Sequence, residues 1–207
     1  MQSKWNENRA LLRGRVGRAP APSHSNHGVR YYVFPMVVRR LSGAEDRLNV
    51  VASEEQLTGL NLEPGDTLTV HGEVRTFNNR SGVGSRLVVS VFARELFFGA
   101  GEEENRLELS GTLCKPPSLR TTPLGRTICD MILAVNRRYG RADYLPCIAW
   151  GSLAHRCGSL EVGDRVRVSG RLQSRTYTKQ VEDRTEERVA FEVSIMSMVG
   201  ADEPEAT

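Results

Sequence analysis

Residues 165–177 read RVRVSGRLQSRTY. Along a β-strand, successive side chains point to opposite faces. Val166, Val168, Gly170 and Leu172 then share one face. Arg165, Arg167, Ser169, Arg171, Gln173 and Arg175 share the other, and Tyr177 continues that outer register. Like charges at this spacing repel, so the ladder costs stability unless an anion neutralises it. A phosphate backbone does so and releases counterions. The bland reading, a basic and solvated exterior, fits some of these arginines as well.

Rings that can stack lie upstream. In YLPCIAWG, residues 144–151, Leu145, Cys147 and Ala149 face one way and Tyr144, Pro146, Ile148 and Trp150 the other. Two rings on one face form a platform for bases, at ~1–3 kcal/mol per stacked base. Against this, Trp150 can equally plug a barrel end. In ILAVNRRYG, residues 132–140, an apolar run stops at Asn136 and Arg137, Arg138 and Tyr139 follow. Residues 35–43, PMVVRRLSG, carry the arginine pair Arg39 and Arg40 without the tyrosine.

The elements that hold these residues come from an internal duplication. NRALLRGRVGRAP starts at Asn8 and NRLELSGTLCKPP at Asn105, an offset of 97. LEPGDTLTVHGEV at Leu62 matches LEVGDRVRVSGRL at Leu160, an offset of 98, and that offset also superposes the two arginine pairs. Alternating Val and Leu, punctuated by Gly, Pro and Asp, predict strands near 9–17, 29–39, 47–52, 66–76 and 86–96 in the first copy. In the second they fall near 106–114, 126–137, 143–150, 164–174 and 187–199. SEEQLTGLNLEPGD and GSLAHRCGSLEVGD supply a short helix in each, with Ser53 as an N-cap in the first. The expected fold class is all-β: two tandem OB-fold five-stranded barrels, each with a short helix between strands 3 and 4. The expected domains are 1–98 and 105–199, joined by a flexible Gly/Glu linker at 99–104 and followed by a short acidic tail at 200–207.

At offset 98, Trp150 meets Ala52, Tyr144 meets Asp46 and Tyr139 meets Leu41, so the first copy lacks all three rings. Its fourth strand, DTLTVHGEVRTF, displays Thr67, Thr69, His71, Glu73, Arg75 and Phe77 on its outer face: one cation and one carboxylate where the second copy has a run of arginines.

Net charge is +3, but it is unevenly spread. Residues 1–98 hold 13 Lys/Arg against 9 Asp/Glu, and residues 105–199 hold 15 against 10, so two basic bodies of +4 and +5 are masked by acidic connectors. Of the 28 cations only Lys4, Lys115 and Lys179 are lysine. Arginine offers planar stacking and forked contacts to phosphate. Cys114, Cys129, Cys147 and Cys157 form no CxxC pair, and the four histidines show no ligand spacing, so neither metal nor cofactor is expected. No P-loop, supported carboxylate pair or Ser/His/Asp arrangement appears, so an enzyme is not expected. The start lacks an apolar core and a cleavage site, and no run of about 18 apolar residues exists, so the cytosol is the expected location and a membrane is not an expected partner.

Residues 111–140 and 144–177 resemble the bacterial single-stranded DNA-binding protein family. The likeness runs through Pro123 and Gly125, LAVNR with an aromatic at 133–139, Tyr144, WGSLA at 150–154, GDRVRVSGRL at 163–172, and Tyr177. It implies that Tyr139, Tyr144, Trp150 and Tyr177 stack on bases while nearby cations hold the backbone. The nucleic-acid-binding set expected is therefore Arg137, Arg138, Tyr139, Tyr144, Trp150, Arg165, Arg167, Arg171, Arg175, Tyr177 and Lys179. Arg39, Arg40, Arg75 and Phe77 are its counterparts in the first copy, where Tyr31 and Tyr32 are further candidate rings. The resemblance further implies single-stranded DNA as the partner, in replication, recombination or repair, in the bacterial nucleoid. It implies a homodimer that assembles four barrels and contacts with replication or repair proteins. The start of the second copy also resembles primosomal replication protein N, a restart factor. A protein–protein adaptor derived from the same fold is the remaining alternative, and it predicts no salt-dependent affinity for oligo-dT.

Overall fold

The computed structural model describes residues 7–79, 85–99, 101–137, 140–181 and 184–200. The first copy runs β1 (Asn8–Val16), β2 (Ala21–Asn26), β3 (Val29–Arg39), β4 (Glu45–Ser53), α1 (Glu54–Leu57), β5 (Thr67–Asn78) and β6 (Leu87–Phe98). The second runs β7 (Glu104–Leu113), β8 (Ser118–Thr121), β9 (Thr127–Asn136), β10 (Ala142–Trp150), α2 (Gly151–Gly158), β11 (Arg165–Val181) and β12 (Arg184–Gly200).

Alternation dictates how each barrel fills. Along β1, Ala10, Leu12, Gly14 and Val16 turn inward while Arg13 and Arg15 stay outside. β1 pairs antiparallel with β3 and β5, β3 with β4 and β5 with β6; β4 lies parallel to β6, which closes the ring. The second copy closes the same way: β9 pairs with β7 and β10, β7 with β11, and the parallel β10–β12 contact completes it. This five-stranded closure, with a helix after the third barrel strand, is the OB-fold. Phe34, Leu12, Met36, Leu48 and Leu68 fill one barrel, and Leu107, Leu109, Leu133, Leu145 and Leu172 the other, each almost fully buried.

The expected strands appear with shifts of a residue or two, except that β11 runs seven residues past its expected end and β12 starts three residues early, and each barrel gains a sixth strand, β2 or β8. Their residues, APSHSN and SLRT, are polar and almost wholly exposed, so no apolar alternation marks them. β2 is tied to β3 by a two-residue turn in which His27 (φ 48°) and Gly28 (φ 79°) both adopt left-handed backbone, the geometry that suits the twist of a hairpin.

Glycine is required where β5 and β11 bend against their neighbours. A Cβ on Gly72 would lie 2.4 Å from the Phe92 carbonyl oxygen, and one on Gly170 would lie 2.2 Å from that of Ser194. In the first barrel this is the point at which the β5–β6 register shifts, between His71 and Gly72.

Two compact units emerge, and they do not follow the sequence repeat. Among the described residues, one contains 106–172 with 192–200 and the short segment 7–8. The other contains Arg9–Asn105 and also Gln173–Phe191, the outer half of the β11–β12 hairpin.

Candidate nucleic-acid interface

The ring platform forms in the unit built from the second copy. β10 buries Leu145, Cys147 and Ala149 and turns Tyr144 (55% exposed) and Trp150 (40%) outward, with Pro146 half-buried and Ile148 buried between them. Cross-strand pairing sets their neighbours: Tyr144 opposes Ala134, Pro146 opposes Ile132, and Trp150 opposes Ile128. Ile148 opposes Asp130, so the rings stand on a sheet face that is apolar apart from that one carboxylate. Trp150 also occupies the N-cap of α2, where its side chain makes no capping bond, so the ring is not tied to the helix.

One cation was not legible from strand alternation. Arg120 on β8 opposes Ile128, which opposes Trp150, so Arg120, Ile128 and Trp150 form one row across three strands. The Arg120 Nε donates to Asp130 Oδ2 at 2.6 Å, and this hydrogen bond raises the guanidinium pKa further. The signal was its position in SLRT, which becomes informative only once β8 is known to pair with β9.

The basic strand ends have another task. Arg137 forks onto Asp143, donating from Nε to Oδ2 at 2.6 Å, and Asp143 is wholly buried. Arg40 forks onto Asp46, which is 1% exposed, with Nε to Oδ2 at 2.8 Å. Each arginine also closes its hairpin through the backbone: Arg40 N to Ala44 O and Arg137 N to Arg141 O, both 2.7 Å. A buried carboxylate demands such a partner. These two forks clamp the hairpins. Arg138 and Tyr139 lie outside the described residues.

The clamps correct the alignment of the copies. Arg40 with Asp46 matches Arg137 with Asp143 at offset 97, not 98, and Val38–Asp46 pairs as Val135–Asp143 does. In that register Trp150 meets Ser53 and Tyr144 meets Arg47; the first copy still lacks those rings. Offset 98 applies only after the helix, where Glu63 N to Asp66 Oδ2 and Glu161 N to Asp164 Oδ2 are both 2.8 Å. The additional residue sits in the longer α2 segment.

The arginine ladder of β11 is not uniform. Arg165 is exposed. Arg167 is mostly covered and lies 3.5 Å from Glu7. Arg171 is half-buried, with an Nε that meets no hydrogen-bond partner among the described residues. Gln173, placed outward by alternation, is buried. Arg175, Tyr177 and Lys179 belong to the other compact unit. There Ser174 donates its N–H to Asp46 Oδ1 at 2.8 Å and accepts from Arg47 N at 2.9 Å through Oγ. This anchors the start of the hairpin's outer half. Beyond it the Arg175 guanidinium lies 5.7 Å from the Tyr177 ring centre, a cation–π pair, and Lys179 is exposed.

In the same unit Phe77 is 55% exposed at the end of β5, while Arg75 is paired with Glu73. Arg39 is exposed, and its backbone N–H is held by the Glu103 carboxylate. Glu103 also lies 3.6 Å from Arg15, and Glu104 lies 3.6 Å from Arg13. Two carboxylates of the expected linker segment, Glu103 and Glu104, thus lie beside cations of β1.

Three of the four cysteines are buried. Burial pushes Cys129 and Cys147 up from the ordinary thiol value and lifts Cys157 to about 11. Such thiols are poor nucleophiles. Among the described residues no three His, Cys, Asp or Glu side chains gather as a metal site, and no helix is long and apolar enough to cross a membrane.

Two OB-fold barrels in one chain, the second with exposed rings on a largely apolar sheet face, define a tandem OB-fold protein. Residues 104–199 match the Single-strand binding protein family. The chain is 39% identical over 83 residues to single-stranded DNA-binding protein A of Bacillus subtilis, covering 37% of this chain and 48% of that protein. It is 34% identical over 100 residues to the single-stranded DNA-binding protein of Halalkalibacterium halodurans, 45% of this chain and 56% of that one. The chain thus spans about half the length of the curated relatives it matches. Across nearly its whole length it resembles a crystal structure of a deletion mutant of the single-stranded DNA-binding protein from Thermus aquaticus: TM-score 0.73, 25% identity, 96% of each chain covered.

Proposed function

We propose that this chain binds single-stranded DNA with little regard to sequence, and carries out no reaction on it. The observation that carries the reading is the pair Tyr144 and Trp150, exposed on one largely apolar face of an OB barrel with Arg120 in the Trp150 row. Every base has a π-face, so such a platform tolerates all sequences. Exposed cations, among them Arg120, Arg165, Arg175, Lys179 and Arg39, supply the phosphate contacts. Tyr177, with Arg175 beside it, adds a third ring. The relatives' names and the family match support the same ligand. Arg40 and Arg137 fall out of the contact set because each serves a buried aspartate.

The process served is replication, recombination or repair, in the cytoplasm, with the chain acting as a homodimer that presents four barrels and meets replication or repair proteins on the coated strand. Fluorescence titration of the full chain with oligo-dT tests the binding; sedimentation of the free protein tests the dimer. Binding that is absent, or that does not weaken with salt, overturns the reading in favour of the adaptor.

A further inference from the structure

The first barrel is not bare of rings; they sit on different strands. In the second barrel one row reads Arg120 on β8, Ile128 on β9 and Trp150 on β10. The row at the same place in the first barrel reads His24 on β2, Tyr31 on β3 and Ser53 on β4. Ser53 is needed where it stands. Its Oγ accepts from Gln56 N at 3.2 Å, and its own N–H donates to Gln56 Oε1 at 2.9 Å, a full capping box on α1. A tryptophan there would lose the cap. The ring appears one strand over instead, as Tyr31.

Tyr31 is part of a column. The His24 and Tyr31 rings stack with centres 4.9 Å apart and planes 14° apart. Tyr31 meets Phe92 of β6 at 5.4 Å, tilted by 48°. The Arg94 guanidinium lies 5.6 Å from the centre of the Phe92 ring and is held by Glu73, at 2.9 Å from Nη2 and 3.1 Å from Nε. His24 is exposed, Tyr31 and Phe92 are half-buried, and Arg94 is exposed. At the positions of Phe92 and Arg94 the second barrel has Ser194 and Met196, because Val51 pairs with Phe92 as Ile148 pairs with Ser194. The column therefore belongs to the first barrel alone.

We propose that His24, Tyr31, Phe92 and Arg94 form a second base-stacking site for single-stranded nucleic acid, separate from the Tyr144–Trp150 platform. It rests on the proposed function and extends it. A base stacks on a ring face, and exposed His24, at the end of the His24–Tyr31 stack, extends the column to one, while the Arg94 guanidinium at the other end receives a phosphate. The first barrel then grips the strand with its own chemistry rather than with Arg40, Arg75 or the positions that match Trp150 and Tyr144.

The test uses the full chain and an oligo-dT long enough to cross both barrels. Tyr31→Leu and Phe92→Leu are each expected to weaken binding roughly fivefold or more, the lower end of a lost base stack. Tyr31→Phe is expected to bind as the unmodified chain does. Photocrosslinking of the unmodified chain to an oligonucleotide carrying 5-iododeoxyuridine adds a readout that no folding defect affects, and crosslinks are expected at His24 or Tyr31. Unchanged affinity in both leucine variants, with crosslinks confined to residues 106–200, overturns the second site while the proposed function stands. If the unmodified chain fails to bind oligo-dT at all, the proposed function falls and this site with it.

Discussion

At the scale of single residues, the same side-chain type does different work according to its partner. Arg120 is an exposed cation paired with the half-exposed Asp130, whereas Arg40 and Arg137 neutralise buried aspartates. Arg137→Ala removes the forked partner of the buried Asp143 carboxylate, so it should lower stability by about 3 kcal/mol in urea unfolding. The salt dependence of DNA binding should not change, because no phosphate contact is lost. A variant of unaltered stability and a shallower salt slope would return Arg137 to the interface. Among the rings, Trp150→Ala should weaken oligo-dT binding by about 1–3 kcal/mol, more than Phe77→Ala does, since Trp150 stands on a largely apolar face beside a cation and Phe77 at the end of β5. Equal losses in fluorescence titration would count against the asymmetry. The dipeptides Arg39–Arg40 and Arg137–Arg138 look interchangeable in sequence; only the aspartate six residues beyond Arg40 and Arg137 tells which arginine turns inward.

At the scale of elements, periodicity showed most of the strands because a closed barrel makes every strand alternate. It could not show β2 and β8, which are exposed on both faces. Nor could it show where the copies slip out of register, since strands tolerate no slip and the added residue hides in the helical segment. Alternation likewise assigned Arg167, Arg171 and Gln173 to an open face, but what covers a strand is decided by tertiary packing. The glycine pair is the sharpest element-level feature: LTVHGEV and VRVSGRL keep Gly72 and Gly170 where a neighbouring backbone carbonyl leaves no room for a methyl group. Gly170→Ala should cost about 1–3 kcal/mol, as overpacking against rigid backbone does, with Gly72→Ala behaving alike. Urea midpoints within experimental error of the unmodified chain would refute this close approach.

At the scale of the whole molecule, the repeat, the two barrels and the cationic bias were legible, since composition and duplication are global properties. The compact units were not, because nothing in TYTKQVEDRTEERVAF says that Gln173–Phe191 packs with the first barrel. Whole-chain stability should also fall in alkali. Cys157 is raised in the folded state from 9.0 to about 11, so its folded form keeps a proton that the unfolded chain has released. That contribution is full below pH 9.0 and is lost as pH climbs toward about 11. Unfolding midpoints across this window should drop less steeply in Cys157→Ala; parallel slopes would contradict the assignment. The central claim, that this tandem barrel holds single-stranded DNA through rings and phosphates together, meets its most direct test in one titration. Trp fluorescence of the full chain is followed as oligo-dT is added at a series of salt concentrations, with duplex DNA as competitor. The account predicts quenching, a linear fall of log affinity with log salt, and poor competition by duplex. Affinity indifferent to salt, or duplex that competes as well as the single strand, would contradict it.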